Sequence, residues 1–340
     1  MAPRGGHTES RQGNPIPASI FRAYDIRGIV EEQLTEDSVR QISRGIGSEA
    51  LAYGIDTLLV GFDGRLSSPS LSRALTAGLL STGCKVVNLG MVPTPLLYYA
   101  CHTSGIESGV MLTASHNPAN YNGLKVVFKQ TCLAANQIQK IRLRVEQDQL
   151  RDGAGSYSEL NIQSQYIEAI RSSVSLGRKL KLVVDCGNAV PGLVAPELFR
   201  ALDCEVEPLF CDIDGNFPNH HPDPTEADNL ASLSARVVAS QADLGIAFDG
   251  DGDRLGIVTN LGEAVDADKI LMLLVKHIAP KYPAAPIIYD VKCSSNLARV
   301  ITAMGATPVM HRSGHSFMKQ KMQETGAPLG GEFAAHIFIK

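Results

Sequence analysis

The sequence GIAFDGDGDR at residues 245–254 decides how this chain folds, because an apolar segment runs directly into three alternating aspartates. Three other segments repeat the order of an apolar run, an aspartate and a polar turn: LLVGFDGR at 58–65, LVVDCGN at 182–188 and IIYDVKCS at 287–294. Open α/β sheets bind ligands at the carboxyl ends of their strands. The repeat therefore predicts similar α/β units facing one cleft, unless these strand ends are alike without any duplication.

Short apolar runs alternate with helical patterns along the chain. Strands are predicted at 57–62, 85–89, 108–112, 124–128, 181–185, 204–210, 243–248, 286–290 and 307–310, and in the final HIFIK segment. Helices are predicted at 69–82, 95–103, 190–201, 225–240, 266–279, 294–304 and 315–325. This alternation is typical of an α/β chain with mixed, mainly parallel sheets.

The length of 340 residues is enough for two or three domains. Turn-rich segments near 153–158 and 259–262 predict the domain boundaries. We expect a disordered tail at 1–15 and three successive, similar α/β domains at 16–154, 155–258 and 259–340, arranged around a central cleft.

The composition argues against several classes of protein. With 44% apolar and 19% charged residues, the chain is typical of a soluble globular protein. Its net charge of −4 lacks the basic excess of a nucleic-acid or anionic-membrane binder. The longest charge-free stretch, 86–106, is interrupted by prolines, and the N-terminus has no apolar signal-peptide core. Seven scattered cysteines predict reduced thiols. We therefore expect a cytoplasmic protein without nucleic-acid or membrane partners.

The loop at residues 249–254 is the sharpest chemical feature of the sequence. Asp249, Asp251 and Asp253 follow an apolar strand and would repel one another in a tight loop. The intervening glycines allow the carboxylates to converge, and hard oxygen ligands in this number suit Mg²⁺. The alternative is a solvated acidic turn. Residues 250–256 also resemble a dinucleotide-binding fingerprint, but the spacing is wrong and the carboxylates would repel a pyrophosphate.

A second polar loop, TASHNPANYNGLK at 113–125, lies between two predicted strands. Ser115 lacks the elbow motif of a serine nucleophile but could carry a phosphate, whose oxygens would then help to bind the metal. Taken alone, Ser115 is more simply explained as a turn residue. His116 alone is more simply explained as a packing or hydrogen-bonding residue.

Three other segments carry weaker signals. Arg27, in YDIRG at 24–28, could hold a phosphate through its guanidinium or form a surface salt bridge. For Asp63 and Arg65, in the segment FDGR, we expect an interdomain or structural role. A glutamate and a histidine in GGEFAAH at 330–336 could reach sugar hydroxyls.

Together these motifs resemble the α-D-phosphohexomutase superfamily, specifically its phosphomannomutase/phosphoglucomutase group. The matching segments are FRAYDIRG (21–28), TASHNPANYNGLK (113–125), DGDGDR (249–254), DVKC (290–293), SGHSFMK (313–319) and GGEFAAH (330–336). They occur in the family's order from residue 21 to the end of the chain. The resemblance implies reversible phosphoryl transfer between O1 and O6 of mannose or glucose phosphates, through a phosphoserine and a hexose 1,6-bisphosphate that is both intermediate and activator.

The resemblance also implies a role for each matching residue. Phosphorylated Ser115 would donate its phosphoryl group, and Asp249, Asp251 and Asp253 would bind Mg²⁺ together with a phosphoserine oxygen. The remaining catalytic residues would be Lys125, His116, Arg27 and Arg254, with Lys125 the first candidate for proton transfer. The substrate would be bound by Tyr24, Lys292, His315, Glu332 and His336, with Glu332 on the O3 and O4 hydroxyls. The partners would be small-molecule hexose phosphates, bound by a monomer.

The sequence departs from the family pattern in two ways. Ala334 and Ala335 stand where the family motif has Ser and Gly, which removes a sugar-facing hydroxyl and adds methyl groups. The family also has a fourth, C-terminal domain that grips the non-transferring phosphate, and we expect this domain to be absent and the third to be incomplete. Two alternatives therefore stay open: a truncated, catalytically impaired module that binds sugar phosphate and Mg²⁺, and a metal-dependent phosphatase that loses its phosphoryl group to water.

Overall fold

The computed structural model describes residues 16–340, so the tail predicted at 1–15 lies outside the described residues. A first mixed sheet has the strand order β1-β5-β4-β2-β3-β7, with β6 paired to β5. Its strands are β1 (Ile26–Ile29), β2 (Thr57–Phe62), β3 (Lys85–Met91), β4 (Gly109–Leu112), β5 (Tyr121–Phe128), β6 (Thr131–Cys132) and β7 (Tyr157–Glu159). Helices α1 (Glu36–Ala52), α2 (Ser68–Leu80), α3 (Thr94–Thr103) and α4 (Asn136–Glu146) belong to this unit.

Helix α1 shows how the first unit is held together. Thr35 begins the helix with a capping box that involves Ser38. The apolar residues Val39, Ile42 and Ile46, spaced by three and four positions, are fully buried. The helix packs closely on α2. A Cβ added at Gly78 of α2 would lie only 2.4 Å from a carbonyl oxygen of α1, so the glycine permits this close approach.

The second sheet has the strand order β12-β11-β10-β8-β9. Its strands are β8 (Lys181–Asp185), β9 (Glu205–Leu209), β10 (Leu244–Phe248), β11 (Leu255–Thr259) and β12 (Ala264–Val265). The accompanying helices are α5 (Gln163–Ser173), α6 (Ala195–Ala201) and α7 (Ala231–Ser240).

The third sheet has the order β14-β13-β15-β16. It contains β13 (Pro286–Asp290), β14 (Thr307–His311), β15 (Leu329–Gly331) and β16 (Ile337–Ile339), with helices α8 (Ala267–Ile278), α9 (Ser295–Ala303) and α10 (His315–Thr325). Within residues 16–340, seven of the thirteen strand pairs are parallel. The predicted succession of three α/β units with mixed sheets is confirmed.

Strand pairing extends two of the units beyond the predicted boundaries. Strand β7 pairs with β3 of the first sheet, although it lies after residue 154. Strand β12 pairs with β11 of the second sheet, although it lies after residue 258. We therefore propose boundaries near residues 160 and 265.

The strand-end aspartates are the feature that positions the site. Asp63, Asp185, Asp249 and Asp290 follow or end β2, β8, β10 and β13, and each has at most 1% of its surface exposed. Buried carboxylates need partners or cations, so these strand ends are where polar networks form. Nowhere in residues 16–340 does a helix combine the length and the hydropathy needed to cross a membrane. All seven cysteines are free thiols, and six of them are buried.

Candidate active site

The aspartate loop after β10 brings three carboxylates together. One oxygen from each of Asp249, Asp251 and Asp253 lies within 4.8 Å of the others. Asp249 and Asp251 are fully buried. Gly252 has a φ of 75°, which a residue with a side chain rarely adopts, so this glycine lets the loop close. The sequence prediction that the carboxylates converge matches this geometry.

Electrostatic repulsion in this loop is strong. Burial, and then the charges of Asp251 and Asp253, raise the pKa of Asp249 to about 7. The Nζ of Lys125 offsets part of the charge, at 2.6 Å from Oδ2 of Asp251 and 2.7 Å from Oδ2 of Asp253. Burial alone would lower the pKa of Lys125, but these two carboxylates outweigh it and raise the pKa. Lys125 is therefore held as an ammonium ion.

Ser115 reaches the aspartate loop from the turn between β4 and β5. Its Oγ donates a hydrogen bond of 2.6 Å to Oδ2 of Asp249 and lies 3.3 Å from Nδ1 of His116. Ser115 is buried and has a φ of 52°, in the left-handed region. A Cβ at Gly250 would lie 2.2 Å from the carbonyl oxygen of Ser115. Glycine at this position thus permits the two loops to touch.

A cationic and a neutral group flank the serine. The Nη1 of Arg254 lies 3.5 Å from Oδ1 of Asp223, and its Nε lies 3.9 Å from Oδ2 of Asp249. Burial, followed by the charge of Arg254, lowers the pKa of His116 to about 3. The His116 imidazole is therefore neutral near pH 7, while Arg254 supplies positive charge beside the serine loop.

The third unit contributes a histidine that joins it to the aspartate loop. The Nε2 of His336 lies 2.9 Å from Oδ1 of Asp253, and its Nδ1 lies 2.9 Å from Oε2 of Glu332. Burial alone would lower the pKa of His336, but Asp253 and then Glu332 raise it to about 9. Backbone pairing between Arg254 and His336 reinforces this junction.

Three further predicted residues lie around the same loops. The Nη1 of Arg27 donates a 2.6 Å hydrogen bond to Oδ1 of Asn117, in the serine loop. Tyr24 is partly exposed and packs edge-on against His315, with ring centroids 5.4 Å apart. The Nε2 of the buried His315 has no hydrogen-bond partner within residues 16–340. The Nε2 of His315 is therefore available to a small ligand.

Lys292 is the predicted residue that the contacts do not bring into this cluster. Its side chain is exposed, and no hydrogen bond or ion pair joins it to the other residues of the described chain. Its neighbour Asp290 is buried and accepts hydrogen bonds from Oγ of Ser313 at 2.7 Å and from the N–H of Phe333 at 3.1 Å. Asp290 of the DVKC motif thus connects the loop that contains Ser313 with the loop that contains Phe333.

Thr94 and Asp223 belong to the site but were not selected from the sequence. The Oγ1 of Thr94 donates to Oδ2 of Asp251 at 2.5 Å, and its N–H donates to the Asp251 carbonyl at 2.8 Å. Thr94 follows β3, so the rule that polar residues at strand ends line the cleft could have identified it. Asp223 lies in a loop without a strand before it and carried no comparable signal.

The two alanines of the last motif differ in conformation. Ala335 has a φ of 69° and is buried, whereas Ala334 has no positive φ. The carbonyl of Ala335 accepts the N–H of Leu255 at 3.1 Å, which fixes the loop against β11. A left-handed alanine is strained, which is the physical consequence of having alanine where the family motif has glycine.

The aspartate cluster fits a small divalent cation. It offers several buried carboxylate oxygens within 4.8 Å, and Oδ1 of Asp251 has no partner elsewhere in residues 16–340. An all-oxygen donor set of this kind is the one that Mg²⁺ prefers. The raised pKa of Asp249 points the same way, since a cation would offset the burial and the repulsion that disfavour its charged form.

Comparison with known proteins identifies relatives of this chain. Three α/β/α domain models of phosphoglucomutase/phosphomannomutase match the chain in order: domain I at residues 18–152, domain II at 164–262 and domain III at 266–340. A phosphomannomutase/phosphoglucomutase of Pseudomonas aeruginosa is 52% identical over 325 residues, which are 96% of this chain and 70% of that protein. A phosphoglucomutase of Neisseria gonorrhoeae is 43% identical over 327 residues, 96% of this chain and 71% of that one.

A solved structure supports the same relationship. The crystal structure of a phosphoglucomutase/phosphomannomutase family protein from Burkholderia thailandensis superposes with a TM-score of 0.93 at 47% identity. The superposition covers 96% of this chain and 73% of that one. With three matching domains, close relatives and a serine loop seated on an aspartate cluster, the chain belongs to the phosphoglucomutase/phosphomannomutase family of α-D-phosphohexomutases.

Proposed function

We propose that the chain moves a phosphoryl group reversibly between O1 and O6 of hexose phosphates, with mannose and glucose phosphates as substrates. Ser115 is the proposed carrier of the phosphoryl group, and a hexose 1,6-bisphosphate is the proposed intermediate and activator. The observation that carries the proposal is the 2.6 Å contact between Oγ of Ser115 and the buried Asp249. This contact of a hydroxyl with one of three convergent carboxylates supports a phosphoryl carrier beside a cation.

The proposed transfer is balanced in atoms and protons. The P–O bond to Oγ of Ser115 breaks, and a P–O bond to the free hydroxyl of a hexose monophosphate forms. The hydroxyl proton ends on Oγ, so that an unmodified serine and a hexose 1,6-bisphosphate result. The bisphosphate then reorients in the cleft so that its other phosphoryl group faces Ser115. Transfer of this group to Ser115 restores the phosphoserine and yields the isomerised monophosphate.

Asp249, Asp251 and Asp253, with an oxygen of phosphorylated Ser115, would hold Mg²⁺. The bound cation supplies positive charge that stabilises the phosphoryl oxygens during transfer. Such transfer depends mainly on positioning and charge stabilisation, so the surrounding cations matter as much as any base. Lys125 is proposed to donate hydrogen bonds to the phosphoryl oxygens and to take part in moving the hydroxyl proton.

The other predicted residues take supporting roles in this proposal. Arg254 and Arg27 would neutralise charge at the transferring group, and the neutral His116 would hydrogen-bond beside it. Glu332 would accept hydrogen bonds from sugar hydroxyls. Tyr24, Lys292, His315 and His336 would contact the sugar or its second phosphate. We propose that a monomer carries out the reaction.

A coupled isomerisation assay tests the proposal. The purified chain is supplied with Mg²⁺, a trace of glucose 1,6-bisphosphate and either mannose 1-phosphate or glucose 1-phosphate, and Ser115→Ala is the control. We expect the 6-phosphate to form with the wild-type chain and not with the control. Release of inorganic phosphate without isomerised sugar would instead indicate a phosphatase. Binding of substrate without any turnover would indicate a non-catalytic module.

A further inference from the structure

Arg65 is a buried arginine that grips the backbone of the serine loop. Only 1% of its surface is exposed. Its Nη2 donates hydrogen bonds of 2.7 Å to the carbonyls of Ser115 and Asn117, and its Nη1 donates to the carbonyls of Pro118 at 2.6 Å and Tyr121 at 3.1 Å. A single guanidinium thus ties together four carbonyls of the loop that carries the serine.

Asp63 bonds to Arg65 and, through Thr113, is linked to the N–H of Ser115. It accepts a 3.0 Å hydrogen bond from Nε of Arg65 and a 2.8 Å hydrogen bond from Oγ1 of Thr113. The same Oγ1 accepts the N–H of Ser115 at 2.9 Å. The N–H and the carbonyl of Ser115 are therefore both connected to one buried ion pair, formed by the strand-end aspartate of β2 and Arg65.

The conformation of Ser115 explains why such a grip is needed. A φ of 52° is strained for a serine, and a strained residue keeps its conformation only where its surroundings over-determine it. In this conformation Oγ points at Asp249. Relaxation of the backbone to negative φ would turn the side chain away from the aspartate cluster.

The opposite charges of Arg65 and Asp63 offset each other in the segment that follows β2. Arg65 and Asp63 are both buried, with their side chains 1% exposed, so each charge depends on the other and on the surrounding hydrogen bonds. The fork of the guanidinium suits this arrangement because its five N–H groups are fixed in one plane. A lysine at this position would keep the charge but could not reach the same set of carbonyls.

We propose that Arg65, held by Asp63, is a positioning residue for phosphoryl transfer, which fixes the Ser115 backbone so that Oγ meets the aspartate cluster. The proposal rests on the proposed function, because it assigns Arg65 an effect on the serine as a phosphoryl carrier. Arg65 acts through the loop and not through contact with the substrate. It should therefore govern the rate of transfer more than the affinity for the sugar phosphate.

The test measures single-turnover phosphorylation of the chain by glucose 1,6-bisphosphate with Mg²⁺, followed by intact-protein mass. Titration of the bisphosphate separates the maximal rate from the half-saturating concentration. We expect Arg65→Lys to lower the maximal rate by about 10- to 100-fold, the effect of a misplacement of the reacting group by about 1 Å. The half-saturating concentration should stay within about twofold of the wild-type value.

Arg144→Lys is the matched control. Arg144 forms an ion pair of 2.6 Å with Glu49 in the same unit. Its replacement should lower thermal stability without changing the maximal rate. If Arg65→Lys retained the wild-type rate, or if Arg144→Lys lost as much rate for the same loss of stability, the positioning role would be wrong.

A second variant covers the case in which Arg65→Lys does not fold. Thr113→Val removes the hydroxyl that links Ser115 to Asp63 while keeping the side-chain shape. We expect this variant also to slow transfer at least tenfold without raising the half-saturating concentration of the bisphosphate. A wild-type rate in Thr113→Val would overturn the proposal. If the wild-type chain itself acquired no phosphate at Ser115, the proposed function would fail and the positioning role with it.

Discussion

The Oγ of Ser115 lies 2.6 Å from Oδ2 of Asp249, although 134 residues separate them in the sequence. The contact joins the first unit to the second and brings the serine hydroxyl to three convergent carboxylates. It depends on the glycine at position 250, where a side chain would collide with the serine loop. The catalytic proposal therefore rests on how closely two loops from different domains approach.

Gly250→Ala should separate the two loops. The added Cβ would lie 2.2 Å from the carbonyl oxygen of Ser115, a contact that forces the backbone to move. We expect the rate of Ser115 phosphorylation to fall at least tenfold and stability to fall by about 1–3 kcal/mol. Gly177→Ala is the control, because nothing lies within 4 Å of a Cβ at that position. Equal rates for the two variants would show that the close approach is unimportant.

Asp249→Asn should stabilise the metal-free chain while weakening its response to Mg²⁺. The substitution removes a carboxylate that burial and two neighbouring aspartates disfavour, and the amide oxygen can still accept the N–H groups of Asp253 and Arg254. We expect the Tm without metal to rise by about 1–2 °C, as about 1 kcal/mol would produce in a chain of this length. The rise in Tm that Mg²⁺ gives the wild-type chain should largely disappear.

Differential scanning fluorimetry with EDTA and with Mg²⁺ measures both effects. The exposed Asp228 offers a control, since Asp228→Asn should change neither Tm nor the Mg²⁺ response. A lower metal-free Tm in Asp249→Asn would contradict the view that the three carboxylates repel one another strongly.

The repeated strand-end aspartates explain why so much of the fold was predictable. An apolar run followed by Asp and a turn identified β2, β8, β10 and β13, and β2, β8 and β13 have the predicted bounds. Helix α1 received no prediction, although Val39, Ile42, Ile46 and Ala50 are spaced by three and four positions and are buried. Its two internal glycines weaken the helical signal. Gly47 fits there because it approaches Thr82 closely.

The site was less predictable than the fold, because its connections join residues that lie far apart in the sequence. The aspartate cluster and Ser115 could each be selected from local spacing, but no local pattern shows that Thr94 bonds to Asp251 or that Arg65 grips the serine loop. Lys292 shows the reverse case, since its motif matches the family while its side chain is exposed and forms no hydrogen bond or ion pair within residues 16–340.

Ala335→Gly should stabilise the chain by up to about 1 kcal/mol, because glycine adopts the left-handed conformation without the strain of a Cβ. Ala335 has a φ of 69°. Its neighbour is a matched control: Ala334→Gly should destabilise by roughly 0.5–1 kcal/mol, since it only adds freedom to the unfolded chain. Urea denaturation of both variants measures the difference. A lower midpoint for Ala335→Gly than for the wild type would mean that the methyl group contributes more by packing than it costs in strain.

The pair of His220 and Asp185 should make stability depend on pH. Burial alone would lower the pKa of His220, but the hydrogen bond and charge of Asp185 outweigh it and raise the pKa above its ordinary value of 6.5. The folded state therefore binds this proton more tightly than the unfolded state. The resulting stabilisation is complete below pH 6.5 and is lost as the pH rises through the raised folded pKa.

Urea unfolding of the wild-type chain and of His220→Gln, from pH 6 upward through the raised pKa, tests whether the His220–Asp185 pair stabilises the fold. The wild type should exceed the variant in stability at pH 6, and the gap should narrow as the pH rises through the raised pKa. A gap that is constant with pH would show that protonated His220 does not stabilise the fold.

The most direct measurement is to locate the phosphate after the wild-type chain has been incubated with glucose 1,6-bisphosphate and Mg²⁺. Tandem mass spectrometry of the peptide that contains residues 113–125 identifies the residue that carries the phosphate. A chase with glucose 1-phosphate tests whether the phosphate leaves that residue again. We expect phosphate on Ser115 that is transferred to the sugar during the chase. Isomerisation without phosphate on Ser115, or a phosphate there that the chase cannot remove, would contradict the account.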